Sequence, residues 1–263
     1  MKSFDVIGSK EKAVAIVEIP EELKQKEKSI AESIMQLNKN VKSVLKKVSE
    51  RKDELRLRKY ELIAGDTNTE VVHKEYGYLL KLDPKKAYFS PREGTERQRI
   101  TEQVKPNETV LVMFSGIGVI PIAIVKKKTE VYKIYGIEIN PSAYHYAVEN
   151  VRVNKLGHKI VLIRGDVSNV CKKFKEKFDR IVMPLPFGAE SFLDIAINCL
   201  KENGIIHFYN WGKEGNLFSN ALKLIEENTK KLNKNFEILG RRKVLAYAPR
   251  KWKICMEFKV KQG

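Results

Sequence analysis

Apolar residues along this chain follow two different rhythms, and the change falls near residue 105. Before it, residues 13–19 (AVAIVEI) alternate in the manner of a strand that Pro20 ends. Ile30, Ile34, Leu37, Val41, Val44, Leu45 and Val48 then recur at helical intervals, which predicts a helix over 21–50. Residues 55–64 and 76–82 read as further strands. The stretch 86–99 is polar and broken by glycine and proline before it turns helical. Lys105-Pro106-Asn107 is a turn signal, so the expected division is an N-terminal α+β domain over 1–104 and a second domain over 105–263.

In the second part short apolar runs alternate with amphipathic ones. Strands are expected at 110–114, 131–139, 160–163, 180–183 and 204–209, with helices at 141–154 and 192–200. Runs such as VLVMF carry no polar alternation, as befits parallel strands covered on both faces. Alternating strands and helices predict an α/β fold with a doubly wound, mostly parallel sheet. The tail departs from this rhythm: 243–248 and 253–260 read as two strands around Pro249, a C-terminal hairpin at the sheet's end.

Composition narrows the partner. Lys and Arg number 50 against 33 Asp and Glu, a net charge of +17. Such an excess suits a polyanion, and nucleic acid is the expected one. A lysine-rich surface without a partner is the alternative. No run approaches the roughly 20 apolar residues of a membrane helix. The first 20 residues lack the pattern of a secretory signal, so a cytoplasmic protein with no membrane partner is expected. Cys171, Cys199 and Cys255 are far apart and form no metal-binding or redox spacing, so no metal is expected.

Five motifs carry the candidate chemistry. Phe114-Ser115-Gly116-Ile117-Gly118 follows the first strand of the second part, where glycines allow a tight turn and a close backbone approach to a ligand. Glu138 ends the next strand, 22 residues beyond Gly116, placed to accept both hydroxyls of a ribose, with Ile139 beside it. Pro121 stands where a third glycine would complete a dinucleotide fingerprint, which favours an adenosine cofactor without pyrophosphate. An ordinary tight turn is the plainer reading of the glycine pair alone. Gly165-Asp166-Val167 follows the third strand; Asp166 is either a contact for an adenine amine or a helix N-cap. Met183-Pro184-Leu185-Pro186 forms a stiff loop after the fourth strand, with carbonyls left free because proline has no N–H.

Ser90-Pro91-Arg92-Glu93-Gly94-Thr95-Glu96-Arg97-Gln98-Arg99 surrounds one glutamate with three arginines. Neighbouring positive charge keeps a carboxylate ionised, as a proton acceptor must be, and arginines also suit phosphates. A salt-bridged helix start explains the same spacing. Arg241, Arg242, Arg250 and Lys251 flank the C-terminal hairpin together with Trp252, a cation-and-ring mixture suited to phosphate contact and base stacking. The alternative there is a solvated edge whose lysines block aggregation.

Taken in order, YFSPREGTERQRI (88–100), MFSGIGVIPIAI (113–124), GIEINPSAYHYAVENVRVNK (136–155), GDV (165–167), MPLP (183–186), GIIHFY (204–209) and YAPR (247–250) resemble the archaeal and eukaryotic-type tRNA guanosine-37 N1-methyltransferases. The resemblance spans nearly the whole chain. It implies a class I methyltransferase fold, S-adenosylmethionine as cofactor, and the anticodon loop of tRNA as substrate, with no obligatory protein partner and a monomeric state. By motif, it places the proton acceptor on Glu96. It places an arginine that stabilises charge on guanine O6 in Arg56-Leu57-Arg58-Lys59-Tyr60-Glu61, as either Arg56 or Arg58. The cofactor pocket maps to Tyr88, the turn Phe114, Ser115, Gly116 and Gly118, then Glu138, Ile139, Asp166, Val167, Pro184 and Pro186. Arg92, Arg97, Arg99, Arg241, Arg242, Arg250 and Lys251 are the expected RNA contacts.

Two departures bear on function. Many family members have Asn-Leu-Pro where this chain has Pro184-Leu185-Pro186. This resembles an archaeal branch that also methylates C7 of the tricyclic wyosine precursor, 4-demethylwyosine. The family often carries a further small N-terminal domain that touches the tRNA elbow, and this sequence is expected to lack it. Two alternatives stay open: the related wybutosine-pathway transferase that moves an aminocarboxypropyl group from the same cofactor, and a non-catalytic RNA-binding module.

Overall fold

A computed structural model describes residues 4–48 and 59–263. Four strands open the chain: β1 (Asp5–Gly8), β2 (Ala13–Val17), β3 (Val41–Lys47) and β4 (Tyr60–Gly65), hydrogen-bonded in that order. β2 and β3 run parallel, joined by a 3-10 turn over Glu21–Lys26 and helix α1 (Glu27–Leu37), while the outer pairs are antiparallel. The helix expected over 21–50 therefore stops at residue 37. Asn38 ends it by donating Nδ2–H to the Ile34 carbonyl. Val41, Val44 and Leu45, read as a helical face, are buried strand residues instead. Three apolar positions at helical spacing fit a short β-branched strand equally well, and pairing with β2 decides the matter. Of the strand expected over 55–64, residues 55–58 lie outside the described residues, and β4 forms its second half.

A hairpin missed in part by periodicity follows: β5 (Val71–Glu75) and β6 (Tyr78–Leu82). Tyr76 and Gly77 both have positive φ (42° and 85°), the paired requirement of a tight hairpin turn that follows strand twist.

The larger sheet has the order β12-β13-β11-β10-β7-β8-β9. Ahead of it, Pro91–Glu93 forms one 3-10 turn leading into α2 (Gly94–Gln103). Then come β7 (Thr109–Met113), α3 (Val119–Lys127), β8 (Lys133–Glu138), α4 (Pro141–Val153), β9 (Ile160–Arg164), α5 (Val167–Val170), β10 (Phe178–Met183), α6 (Leu193–Cys199), β11 (Leu200–Lys213), α7 (Ser219–Lys231), β12 (Lys234–Ala248) and β13 (Lys251–Gln262). Strands β7 to β11 pair in parallel and β13 runs antiparallel to β11. The strand switch point lies between β7 and β10, the place where open α/β sheets bind ligands. Alternate side chains of β7 serve different layers: Val110 and Val112 pack with Ile122, Ile124 and Ile100, and Leu111 and Met113 with Val167, Leu193 and Ala196.

Two asparagines dock the hairpin onto this sheet's helices. On α4, Asn150 accepts from the Lys81 N–H (2.6 Å) and donates to the Lys81 carbonyl (3.1 Å). One turn later Asn154 does the same for Leu79 (3.1 and 2.7 Å). Helical spacing of four puts both amides on one face, so they serve the exposed edge of β6 as a neighbouring strand would.

Candidate active site

The glycine turn is built for a close approach. Phe114, Gly116 and Gly118 all have positive φ (57°, 56° and 80°). Gly118 is the left-handed N-cap of α3, and a Cβ there would sit 3.2 Å from Ala147 Cβ, so glycine is required on two counts. At Gly116 an added Cβ meets only the Tyr88 carbonyl oxygen at 3.9 Å, leaving the turn's upper side open. The Gly116 N–H donates to Glu138 Oε2 (2.7 Å) and the Asn140 N–H to Glu138 Oε1 (2.8 Å). Burial pushes the Glu138 carboxyl above the ordinary range, with those N–H donors opposing the rise.

Of the other residues expected at the cofactor, Ile139, Asp166, Val167, Pro184 and Pro186 follow the ends of β8, β9 and β10. Asn140 caps α4 through Oδ1 and ties its Nδ2 to the Lys86 carbonyl (3.0 Å), which fixes the segment leading to Tyr88. Ile139 is 37% exposed and follows Glu138 directly. Asp166 is the N-cap of α5 and accepts from the Ser168 N–H through Oδ1 (2.7 Å), which leaves Oδ2 for another donor. Phe114 packs edge-on against Phe192 at 5.2 Å. Ser115 is buried with its hydroxyl unpartnered, wedged beside Gly136. Pro184 is half-buried and Pro186 buried in the loop after β10. A glycine-lined turn, an acid at the next strand end and apolar flanks fit an adenosine with a ribose to be held.

Glu96 lies in the first turn of α2, buried, eight residues beyond Tyr88. Arg99 clasps it with two bonds, Nε to Oε2 (2.8 Å) and Nη2 to Oε1 (2.6 Å). The Tyr209 hydroxyl donates to Oε1 at 2.5 Å, and Arg242 Nε stands 3.4 Å from Oε2. Hydrogen bonds fill three of the roughly four acceptor positions of a carboxylate; the fourth, on Oε2, is approached only by the longer contact of the exposed Arg242. Burial first, then the nearby acidic groups, pushes the Tyr209 hydroxyl well above its ordinary value, so it remains a donor. Behind Arg99 lies Glu257, which also accepts from Gln103 (3.1 Å) and faces His207 Nδ1 at 3.4 Å. Burial alone would raise Glu257; contacts from His207 and Arg99 overcome it and hold the group at about 2. His207 Nε2 accepts from Arg180 (2.7 Å), whose Nε and Nη2 bind Glu108 (2.8 and 3.0 Å). Burial lowers His207, so it is neutral and carries its proton on Nδ1.

The arginines expected to meet RNA divide into two groups. Arg97 is buried, bound to Glu75 (Nε to Oε1, 2.8 Å) and twice to the Ser90 carbonyl (3.1 Å), and packed 5.0 Å over Phe89. Arg99 is spent on Glu96 and Glu257. Neither offers a free guanidinium to a phosphate, a correction to the sequence expectation; their spacing on α2 turns them inward. Arg92 is exposed and paired with Asp5, while Arg241, Arg242 and Arg250 are exposed on the C-terminal hairpin and Lys251 half-buried. Arg56 and Arg58 lie outside the described residues. Sequence reasoning missed Tyr209 and Glu257. The alternation of GIIHFYNW, which puts residues 207, 209 and 211 on one face of β11, was the available signal.

Sheet order, glycine turn, terminal acid and adjacent buried carboxylate together define a class I, S-adenosylmethionine-dependent transferase. The model of the TRM5/TYW2 methyltransferase domain matches residues 71–239, and that of the TYW2 N-terminal domain matches residues 1–69. The chain belongs to the TRM5/TYW2 methyltransferase family. It is 42% identical over 258 residues to the tRNA (guanine(37)-N(1))-methyltransferase Trm5b of Pyrococcus abyssi, covering 98% of this chain and 74% of that one. It is 30% identical to the Nanoarchaeum equitans tRNA (guanine(37)-N(1))/4-demethylwyosine(37)-methyltransferase Taw22, over 85% of this chain and 89% of that one. Among solved structures, the complex of aTrm5 and tRNALeu aligns with a TM-score of 0.85 at 38% identity, covering 98% of this chain and 72% of that one. Pyrococcus horikoshii TYW2 in complex with MeSAdo aligns with a TM-score of 0.82 at 28% identity, covering 100% and 92%.

Proposed function

We propose that this enzyme methylates N1 of guanosine 37 in tRNA. The observation that carries the reading is the buried Glu96 carboxylate, fixed by Arg99 and Tyr209 and joined by one short segment to the glycine turn beneath Tyr88. S-adenosylmethionine supplies the electrophilic methyl group. Guanine N1 must lose its proton to attack, and Glu96 accepts it at the open position on Oε2. The Gly116–Gly118 turn, Glu138 and Asp166 hold the adenosine so that sulfur, methyl carbon and N1 align, and rate comes chiefly from that positioning. An arginine from the pair Arg56 and Arg58 stabilises charge on O6. Arg92, Arg241, Arg242, Arg250 and Lys251 provide phosphate contacts. The enzyme acts as a cytoplasmic monomer; among the described residues no helix is long and apolar enough to cross a membrane.

Incubation with labelled cofactor and unmodified tRNA, followed by mass spectrometry of the nucleosides, tests this directly. N1-methylguanosine at position 37 that is lost in Glu96→Gln supports both reaction and base. A gain of an aminocarboxypropyl group would replace the reading with the rival transfer.

A second activity rests on Pro184. A proline cannot orient the base through a side-chain amide, so the pocket places fewer demands on the purine edge and admits the tricyclic 4-demethylwyosine for methylation at C7. Turnover on G37 with none on precursor-bearing tRNA would reject this activity.

A further inference from the structure

The face of the sheet that holds Tyr209 against Glu96 continues outward. In the registers of β11, β13 and β12, Tyr209 stands beside Cys255 and Arg242, and Trp211 beside Lys253 and Leu245. Alternate strand residues share a face and lie about 7 Å apart. Trp211 is therefore the next side chain beyond Tyr209 on that face, toward the C-terminal end of β11. Tyr247 meets it with ring centroids 4.4 Å apart and planes tilted by 47°. Lys251 Nζ lies 5.6 Å from each of the two rings. Tyr247 is 41% exposed, although a tyrosine ring on a strand ordinarily finds cover. The other tryptophan, Trp252, is on the opposite face with Lys243 at 4.1 Å, so the pair at Trp211 is not a general feature of this hairpin.

The hairpin's tip is anchored where this pair sits. The Glu214 N–H donates to the Arg250 carbonyl (2.9 Å), and Arg250 takes the positive φ (57°) that turns the chain. The rings are thus presented on a braced support rather than on a loose loop. Lys253 is withdrawn from solvent by its bond to Glu93 (2.7 Å), whereas Lys251 borders both rings.

We infer that Trp211 and Tyr247 form a stacking platform for the nucleotide adjacent to the target base, with Lys251 contacting its phosphate. The inference rests on the proposed reaction for the placement of the target at Glu96. A base that leaves the anticodon loop takes its stacking contacts with it. Its neighbour then needs a flat surface within one nucleotide of Glu96, and this pair is that surface. Stacking on an aromatic ring tolerates any base, so the platform holds the loop open without reading its sequence.

The test uses the full chain saturated with S-adenosylhomocysteine, and tRNA carrying 2-aminopurine at position 36 or 38. In a Trp252→Phe background Trp211 is the sole tryptophan, and tRNA should quench its fluorescence. The 2-aminopurine signal should change at one of the two positions. Trp211→Ala should weaken tRNA binding by about 5- to 150-fold, the range for loss of one stacked base, while Trp211→Phe restores most of it and cofactor affinity stays unchanged. Unaltered tRNA affinity in Trp211→Ala, or an unquenched Trp211 on saturation with tRNA, overturns the platform. Because binding is read without turnover, tRNA that stacks on Trp211 yet gains no methyl group at G37 once S-adenosylmethionine replaces S-adenosylhomocysteine would sink the proposed reaction and leave the platform standing.

Discussion

Replacing Tyr209 by phenylalanine removes one hydroxyl and no packing volume. Tyr209 is 1% exposed, and its hydroxyl donates to Glu96 Oε1 at 2.5 Å. That oxygen keeps its bond from Arg99 Nη2 (2.6 Å), so the substitution does not orphan the carboxylate. A hydrogen bond to a charged group contributes about 1.5–3 kcal/mol, and with one strong partner retained the lower end applies. For a chain of this size about 1.5 kcal/mol lowers Tm by roughly 3–6 °C. If the same energy holds the base in line for N1, kcat falls by about tenfold. The hydroxyl is buried and turned onto Glu96, so both KM values should stay put. Single-turnover methyl transfer at saturating tRNA and cofactor measures the effect, with calorimetry for Tm. Asn154→Ala provides the control: it strips β6 of two backbone hydrogen bonds, lowers Tm by a similar amount and leaves kcat unchanged, because its contacts are to Leu79 and Asn150 and not to the Glu96 network. Wild-type kcat in Tyr209→Phe, or a loss confined to KM for tRNA, would refute the argument that Tyr209 positions the base.

Glu96→Gln should cut kcat by about 10²- to 10⁴-fold, the usual contribution of a general base, with cofactor affinity intact by isothermal titration. Cofactor affinity should depend on pH through Glu138. Its carboxyl is raised by burial, and ribose hydroxyls donate to the ionised form. Binding therefore releases a proton and weakens as pH falls through the raised value, above about 4.5; an affinity that stays flat from pH 8 down to pH 4.5 would contradict this. Gly118→Ala should abolish tight cofactor binding while the protein still folds, since a Cβ meets Ala147 in a left-handed backbone conformation. Arg180→Met should cost about 3–5 kcal/mol in chemical denaturation, because it strands Glu108 without its buried partner.

Much of the fold could be read from the chain because its strands are short, apolar and separated by turn residues. The five parallel strands and the C-terminal hairpin fall where the pattern put them, though β11, β12 and β13 run further. The misses share a cause. Val41, Val44 and Leu45 satisfy a helical template by accident of spacing, and only their pairing with β2 reveals a strand. Strand β5 carries His73, Lys74 and Glu75 in a run that looks like loop; its partner is β6, and Glu75 is bound by Tyr78 and Arg97. Helix α7 went unmarked because lysines and glutamates mask its apolar stripe of Ala221, Leu222 and Ile225.

The site shows the same limit at the scale of single side chains. Sequence could say that Glu96 sits among arginines, but not which arginine serves it. On α2 a step of one residue turns a side chain by about 100°, so Arg97 faces Glu75 and Arg99, three residues on from Glu96, returns to the carboxylate. The same three-residue rule, applied to the sequence, would have removed Arg99 from the RNA contacts and made it the partner of the base. Its second anchor, Glu257, comes from a strand 158 residues away and could only be found in the fold. The proposed proton acceptor and the proposed stacking platform therefore meet at one sheet face for a structural reason. The strand that brings Tyr209 to Glu96 also brings Trp211 to its C-terminal end, so under the proposed reaction whatever seats a base against the carboxylate seats its neighbour against the rings.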